Sequence, residues 1–158
     1  GSIDFVKNGL AKTPYTLSEV HVFEMVGYAT EKANSQRLPP GLPVKVGDVG
    51  NFLALISNQG SNDIASTTLT ASATYLPDFP VLALKTYHGA EKLFGGHLLR
   101  SDHAPFWEAG IAAVMWTDTS EFRNSNYHQV TDTPDTLNYT FMTNVAKLAV
   151  ARVMAATK

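Results

Sequence analysis

The chain has 158 residues, of which 44% are hydrophobic and 16% are charged, and we expect residues 1–158 to form one folded domain with a substantial core. A net charge of -2 gives no electrostatic reason to expect nucleic acid as a partner, and no apolar run approaches the ~20 residues of a membrane span. Without cysteine, disulfides and thiolate metal sites are excluded, so a transition-metal site would have to use His, Asp and Glu.

The first half of the chain predicts one strand, the end of a helix and two further helices. The expected elements are the end of a helix over 3–10, a strand over 20–28, a surface loop over 30–45, and helices over 48–58 and 62–75. The helix over 48–58 rests on Asp48 as a cap, followed by apolar residues at helical spacing. A helix end at the start of the chain indicates that the natural protein begins earlier.

The second half alternates strands and helices. The expected elements are a strand over 79–85, a mobile loop over 86–99, a short helix near 105–109, a buried strand over 111–116, a polar loop to 137 and a final helix capped by Asn138. Ser101 or Asp102 is expected to cap the short helix, with Pro105 in its first turn. This order predicts a three-layer α/β/α fold around a mixed, mostly parallel sheet.

Glu24 lies between Phe23 and Met25 in the first predicted strand. A carboxylate flanked by core residues is costly to bury unless it is paired or bound to a metal. A metal or catalytic role is therefore one interpretation. The alternatives are exposure at the end of the sheet and pairing with an arginine.

His128 lies in a polar loop after Tyr127 and four residues before Asp132. Neutral imidazole is the commonest protein ligand for zinc, and a nearby carboxylate such as Asp132 could orient it. The alternative is a loop histidine that is hydrogen-bonded to the backbone. Taken alone, the pattern favours that alternative.

Ser101, Asp102 and His103 invite comparison with a catalytic triad. Three consecutive residues cannot readily make one, because a triad needs groups that converge from separated segments. The Gly-x-Ser-x-Gly motif is also absent. A serine hydrolase that uses Ser101 is thus a remote alternative.

Three segments together resemble one family. They are 23–28 (FEMVGY), 101–106 (SDHAPF) followed by Gly110 and Ile111, and Tyr127-His128 followed by Asp132 and Thr133. In this order and spacing they resemble the C-terminal half of a zinc exopeptidase of peptidase family M28, of the bacterial leucyl aminopeptidase type, with glutaminyl cyclases as relatives. The resemblance covers nearly the whole chain. Ala112 departs from it, since proline is usual after Gly-Ile.

The resemblance implies a two-zinc aminopeptidase that hydrolyses N-terminal residues from peptides by metal-activated water. Glu24 and His128 would each bind one of the two zinc ions, and Tyr127 would hydrogen-bond the oxyanion of the intermediate. Ser101, Asp102 and Asp132 would contact the substrate or the metal ligands. Family members with this pattern are usually exported, which favours a secreted or periplasmic location.

The family's first histidine ligand, its bridging aspartate and its Glu-Glu pair have no counterpart in this sequence and would lie upstream of residue 1. Two ligands do not complete a catalytic zinc site. We therefore expect this chain alone to be inactive, to need the missing N-terminal half, and to form homo-oligomers through uncovered surfaces. Carboxypeptidase activity, glutaminyl cyclase activity and a non-catalytic structural fragment remain alternatives.

Overall fold

Four strands form one sheet in the order β1-β4-β2-β3 in the computed structural model, which describes residues 1–94 and 96–156. The strands are β1 (Val20–Phe23), β2 (Leu53–Ser57), β3 (Val81–Lys85) and β4 (Ala113–Thr117). The α-helices are α1 (Ser2–Asp4), α2 (Asn62–Tyr75), α3 (Ala104–Glu108) and α4 (Tyr139–Ala156). Helical turns continue from α1 through Phe5–Gly9 and Leu10–Lys12, so Gly9 does not end the N-terminal helical segment.

The pairing within the sheet decides where the site lies. Strand β1 is parallel to β4, and β2 is parallel to β3, whereas β2 and β4 are antiparallel. The carboxyl ends of β1 and β4 therefore lie at the same end of the sheet. The predicted α/β fold with a mixed, mostly parallel sheet is confirmed.

Helices α2 and α4 cover one face of the sheet. Their contacts enclose ten buried side chains: Leu53, Leu55, Ala65, Ala71, Phe79, Val114, Trp116, Phe141, Val145 and Leu148. The predicted bounds of α2 are confirmed. The predicted cap of α4 is confirmed as well, because Asn138 Oδ1 accepts a hydrogen bond from the Phe141 N–H at 2.9 Å.

The opposite face of the sheet has a thinner cover. Its buried side chains are Phe52, Ala54, Ile56, Leu98 and Met115. Partly buried residues of β3, of α3 and of irregular segments pack against them, namely Leu42, Val46, Leu84, Phe94 and Trp107. The third layer thus consists of a short helix and loops, and it leaves room for the cavity described below.

The predicted helix over 48–58 is wrong, since residues 53–57 form the central strand β2. All five residues are buried, because β2 is flanked by β3 and β4 and covered on both faces. A continuous apolar run satisfies helical spacing as well as strand burial. Asp48 instead accepts a hydrogen bond from the Asn34 N–H at 3.0 Å.

Two further predictions need correction. The first strand ends at Phe23, because Met25 has a positive φ of 50°, and this places Glu24 at the end of the sheet. Neither Ser101 nor Asp102 caps α3, whose N-cap is His103 without a side-chain hydrogen bond. Pro105 does lie in the first turn of α3, as predicted.

The segment predicted as a mobile loop contains two short 3₁₀ helices, Ala90–Leu93 and His97–Leu99. Gly95, within the same predicted loop, lies outside the described residues. Among residues 1–94 and 96–156, no helix is long and apolar enough to cross a membrane.

Candidate functional site

Glu24 and Ser101 meet at the carboxyl end of β1. The Glu24 N–H donates to the Trp116 carbonyl at 2.9 Å, which continues the pairing of β1 with β4 by one residue. The Ser101 hydroxyl donates to Glu24 Oε2 at 2.6 Å, and both side chains are half-buried. The structure therefore brings together two of the predicted site residues. The other carboxylate oxygen, Glu24 Oε1, does not take part in this hydrogen bond.

Asp102 is exposed and bonds to a different segment from Glu24. Its Oδ1 accepts a hydrogen bond from the Ser2 hydroxyl at 2.6 Å, so it ties the N-terminal segment to the start of α3. Among the described contacts, Asp102 has no hydrogen bond to Glu24. This contact links α1 to the turn that precedes α3.

A buried carboxylate, Asp118, holds the chain that follows Glu24. The Asp118 N–H donates to the Met25 carbonyl at 2.6 Å, and Asp118 Oδ2 accepts from the N–H groups of Gly27 and Tyr28 at 3.1 and 2.7 Å. Its Oδ1 accepts from the Ser120 N–H at 2.9 Å. Burial outweighs these hydrogen bonds and raises the pKa of Asp118 to about 6.

Arg123 reinforces the same turn. It is buried and donates to Gln36 Oε1 at 2.9 Å, to the Tyr28 carbonyl at 3.2 Å and to the Phe52 carbonyl at 2.8 Å. Burial lowers the pKa of Arg123 to about 10, so the guanidinium stays charged at neutral pH. Arg123 thus links the segment after β1 to the start of β2.

Neither Asp118 nor Arg123 is among the site residues predicted from the sequence. For Asp118 a usable signal exists, because it is a carboxylate directly after the buried strand β4, just as Glu24 directly follows β1. Arg123 lies in a polar loop, where an arginine is ordinarily exposed, so no local pattern indicates its burial.

Tyr127 and His128 stack on one another in the loop that follows β4. Their ring centroids are 4.0 Å apart with an interplanar angle of 13°. His128 is exposed and has a positive φ of 56°, a backbone conformation that is uncommon for residues other than glycine. Asp132 is exposed, and among the described residues it makes no hydrogen bond to His128, so its predicted orienting contact is not formed in this structure.

The loop from 119 to 137 is anchored at both ends beside Glu24. Asp118 contacts the segment 25–28 at one end, and at the other the Asn138 N–H donates to the Gly27 carbonyl at 2.8 Å. Glu24 and His128 therefore follow neighbouring parallel strands and belong to segments at the same end of the sheet. No contact between these two side chains is described.

His103 does not form a triad with Ser101. It is fully buried, and its Nε2 is hydrogen-bonded to the Leu98 carbonyl at 2.8 Å. Its ring contacts the Trp107 ring edge-on, with the ring centroids 4.4 Å apart. Burial lowers the pKa of His103, which favours the neutral ring. Because the Ser101 hydroxyl donates to Glu24, the structure gives no support to a Ser101 nucleophile.

A cavity of about 360 Å³ lies on the thinly covered face and reaches the site end of the sheet. Its floor is apolar and includes Ile56, Leu98 and Met115. Arg100, next to Ser101 in the chain, lines its edge and forms an ion pair with Glu121 at 2.6 Å.

The donor atoms of this chain do not by themselves fit a complete zinc centre. Among residues 1–94 and 96–156, no group of three or more His, Asp or Glu could hold a metal ion. Catalytic zinc takes about three protein ligands and a water. Glu24 and His128 are suitable ligand types, but two ligands are too few.

The model of peptidase family M28 matches residues 54–153, which is more than half of the chain. The chain belongs to peptidase family M28. This family is zinc-dependent, and the matched region includes Ser101, Tyr127 and His128, whereas Glu24 lies before it.

Three known proteins resemble the chain. It is 33% identical over 124 residues to the uncharacterized protein YfbL of Escherichia coli (strain K12), an alignment that covers 77% of this chain and 36% of YfbL. The LapA aminopeptidase of Legionella pneumophila matches with a TM-score of 0.64 and 24% identity, over 98% of this chain and 34% of LapA. LapB of the same organism matches with a TM-score of 0.66 and 20% identity, over 98% of this chain and 35% of LapB.

The structural matches show that the chain has part of the fold of the Legionella proteins. The predicted fold is thereby confirmed, and the family-model match over residues 54–153 confirms the predicted family. The chain spans about a third of the length of each of these three relatives.

Proposed function

We propose that this M28 chain is part of a zinc exopeptidase that removes N-terminal residues from peptides. The main support for this proposal is the position of Glu24, whose carboxylate accepts a hydrogen bond from Ser101. Glu24 lies at the end of the sheet where β4 also ends and the loop with Tyr127 and His128 begins. In α/β folds the catalytic and ligand-binding residues commonly lie at the carboxyl ends of parallel strands.

Each predicted ligand has a donor atom available for a metal. Glu24 uses one carboxylate oxygen for the Ser101 hydrogen bond and keeps the other. His128 is exposed, and among the described residues its ring contacts the stacked ring of Tyr127. In this proposal each residue supplies one ligand, and residues outside this sequence supply the remaining ligands of two zinc ions.

Ser101 acts in this proposal by holding Glu24 in one orientation. A hydroxyl that donates to a carboxylate makes a charge-assisted hydrogen bond, which restricts the rotation of both side chains. Tyr127 contacts the substrate directly. Its hydroxyl donates to the oxyanion that develops when the peptide carbonyl becomes tetrahedral.

The cavity beside the site would hold the side chain of the residue that is removed. Its volume of about 360 Å³ and its apolar floor suit a large aliphatic or aromatic side chain. The cations Arg37 and Lys45 line it as well and would disfavour lysine and arginine there. We therefore expect leucine and phenylalanine substrates to be preferred over lysine substrates.

Hydrolysis of leucine p-nitroanilide by the full-length protein that carries this sequence tests the proposal. We expect turnover that a chelator abolishes and zinc restores, and faster turnover of the leucine than of the lysine substrate. Turnover that the chelator does not affect would contradict the metal role.

Substitution of Tyr127 by phenylalanine tests the oxyanion role in the same protein. The variant should lower kcat about 10²-fold or more with a smaller effect on KM, because the hydrogen bond is strongest in the transition state. Tyr15→Phe, at an exposed tyrosine, is the matched control and should leave both constants unchanged. Equal kinetics of the two variants would remove Tyr127 from the mechanism.

A non-catalytic role is the second candidate, favoured by the small number of donors that this chain brings together. Isothermal titration of the 158-residue chain with zinc distinguishes the two-ligand arrangement from a complete site. We expect a Kd weaker than ~1 μM, because structural zinc sites with a full ligand set bind far more tightly. Tighter binding that Glu24→Gln or His128→Asn abolishes would show that the chain holds zinc without further ligands.

A further inference from the structure

Two arginines converge on Glu121 at the rim of the cavity. Arg100 Nη2 lies 2.6 Å from Glu121 Oε1, and Arg37 Nη2 donates to the Glu121 carbonyl at 2.8 Å. Both arginines line the cavity, whereas Glu121, within the part of the chain that the structure describes, contacts them without lining it. Glu121 therefore controls the charge of the rim from outside the cavity lining.

The ion pair of Arg100 with Glu121 is only partly open to solvent. The two side chains are 46% and 28% exposed, respectively. Glu121 Oε2 is buried and accepts no hydrogen bond from residues 1–94 or 96–156, so among these residues Arg100 is the cation that neutralises the carboxylate. Because a partly buried pair is screened less than an exposed one, removal of either partner would leave the charge of the other effective at the rim.

Arg100 also lies next to the proposed zinc ligand. It precedes Ser101, whose hydroxyl donates to Glu24 Oε2 at 2.6 Å. A peptide with its first peptide bond at Glu24 and its first side chain in the cavity would thus place that side chain close to Arg100. The ion pair is therefore positioned to act on the choice of substrate.

The charges around the cavity act differently on basic and acidic side chains. Arg37 and Lys45 are exposed, so their repulsion of a basic side chain and their attraction for an acidic one are both screened by salt. The partly buried pair has the stronger influence on an acidic side chain. Such a side chain would find Arg100 already paired, and the Glu121 carboxylate would repel it.

We propose that the Arg100–Glu121 pair determines which N-terminal residue the cavity accepts. This inference rests on the proposed exopeptidase function and adds two specificity-determining residues to it. With the pair intact, the cavity takes neutral apolar side chains in preference to acidic ones. Without Glu121, the Arg100 guanidinium is available to bind the carboxylate of an N-terminal glutamate.

Kinetics of the full-length protein test this role with two matched variants. Glu121→Gln should raise kcat/KM for glutamate p-nitroanilide relative to leucine p-nitroanilide at least about 10-fold, mainly through KM, because the contact is remote from the reacting atoms. Glu108→Gln is the control, since it removes the same charge from an exposed residue that does not line the cavity. It should leave the ratio unchanged. The same ratio in both variants would overturn the proposal.

A double variant, Arg100→Gln with Glu121→Gln, identifies the group that binds the acidic side chain. It should lose the gain and return the ratio to within about 2-fold of the wild type, because the two substitutions act on one contact. A gain that survives without Arg100 would overturn the proposal, since another cation would then bind the acid.

Binding of small probes to the full-length protein separates this inference from the proposed function. Pentanoate carries a carboxylate on an apolar stem and pentanol is its neutral counterpart, and saturation-transfer NMR measures both with a chelator present, so that zinc cannot bind the carboxylate. Glu121→Gln should bind pentanoate at least about 10-fold more tightly than the wild type and pentanol equally well. This result without any peptidase turnover would refute the proposed function and support the role of the pair in the cavity. Equal pentanoate binding by the variant and the wild type would overturn that role, whether or not the protein is a peptidase.

Discussion

The two halves of the predicted metal site are held in different ways. The segment after Glu24 is tied to the core by Asp118 and Arg123, which lie about a hundred residues away in the sequence. The loop that carries Tyr127 and His128 is held mainly by local turns, such as the hydrogen bonds from Gln129 to Asn126 and from Asp132 to Gln129.

We infer that Glu24 is a preformed ligand of the predicted metal site, whereas the orientation of His128 is adaptable. Because buried long-range hydrogen bonds fix the backbone at Glu24, its carboxylate keeps its position before any ligand binds. Exposed turns open at little cost, so the orientation of His128 depends on what binds to it. The predictions below test this contrast, from the largest expected effect on stability to the smallest.

Arg123→Met should have the largest effect. It removes three hydrogen bonds and a buried positive charge beside Asp118, at a cost of about 3–5 kcal/mol in the free energy of unfolding. Urea denaturation measures this change. Arg37→Met is the matched control, because Arg37 is exposed and, within the part of the chain that the structure describes, its side chain donates to the Glu121 carbonyl alone. A change of about 0.5 kcal/mol or less is expected.

Asp118 should make stability depend on pH. Its pKa is raised from 3.8 to about 6 in the folded protein, so the folded state binds the proton more tightly than the unfolded state does. The resulting stabilisation is complete below about pH 4 and is lost as the pH rises through 6. We expect the unfolding free energy of the wild type to fall by about 2–3 kcal/mol relative to Asp118→Asn over this range. Parallel pH profiles would show that Asp118 titrates at its ordinary pKa.

Ser101→Ala should have a moderate effect, since it removes a single half-buried hydrogen bond to Glu24. The expected loss is about 1 kcal/mol, because water can replace the hydroxyl as a donor. Ser125→Ala, at an exposed serine, is the control and should be neutral. If both variants were neutral, the hydrogen bond would not help to hold Glu24.

His128→Asn should have the smallest effect. His128 is exposed, and asparagine tolerates its positive φ, so we expect a change below about 0.5 kcal/mol. His103→Asn supplies the contrast, because the buried ring bonds to the Leu98 carbonyl and its loss should cost about 1–3 kcal/mol. A large loss at His128 would mean that its loop is as rigid as the Glu24 segment.

The predicted site residues were found by a mixture of pattern and resemblance. Glu24 was visible as a carboxylate among core residues, and the structure places it at a strand end beside Ser101. The metal roles of Glu24 and His128 and the oxyanion role of Tyr127 stay predictions. The buried groups that position Glu24 could not be read locally, because their partners lie far away in the sequence.

The sequence by itself determined the elements whose signals are local. Helix α4 has its cap at Asn138 and a periodic apolar face, helix α2 has its predicted bounds, and β4 is a short apolar run between polar segments. The motifs shared with family M28 are also local, and they are sufficient to indicate the family from the sequence alone.

Only the tertiary structure decided the rest. Residues 53–57 form a strand because β3 and β4 bury them from both sides, although their spacing also suits a helix. The same packing sets the antiparallel pairing of β2 with β4, and the long-range contacts of Asp118 with residues 25–28 hold the turn after Glu24. Burial and long-range hydrogen bonding depend on residues distant in the chain, and they override the propensity of any single segment.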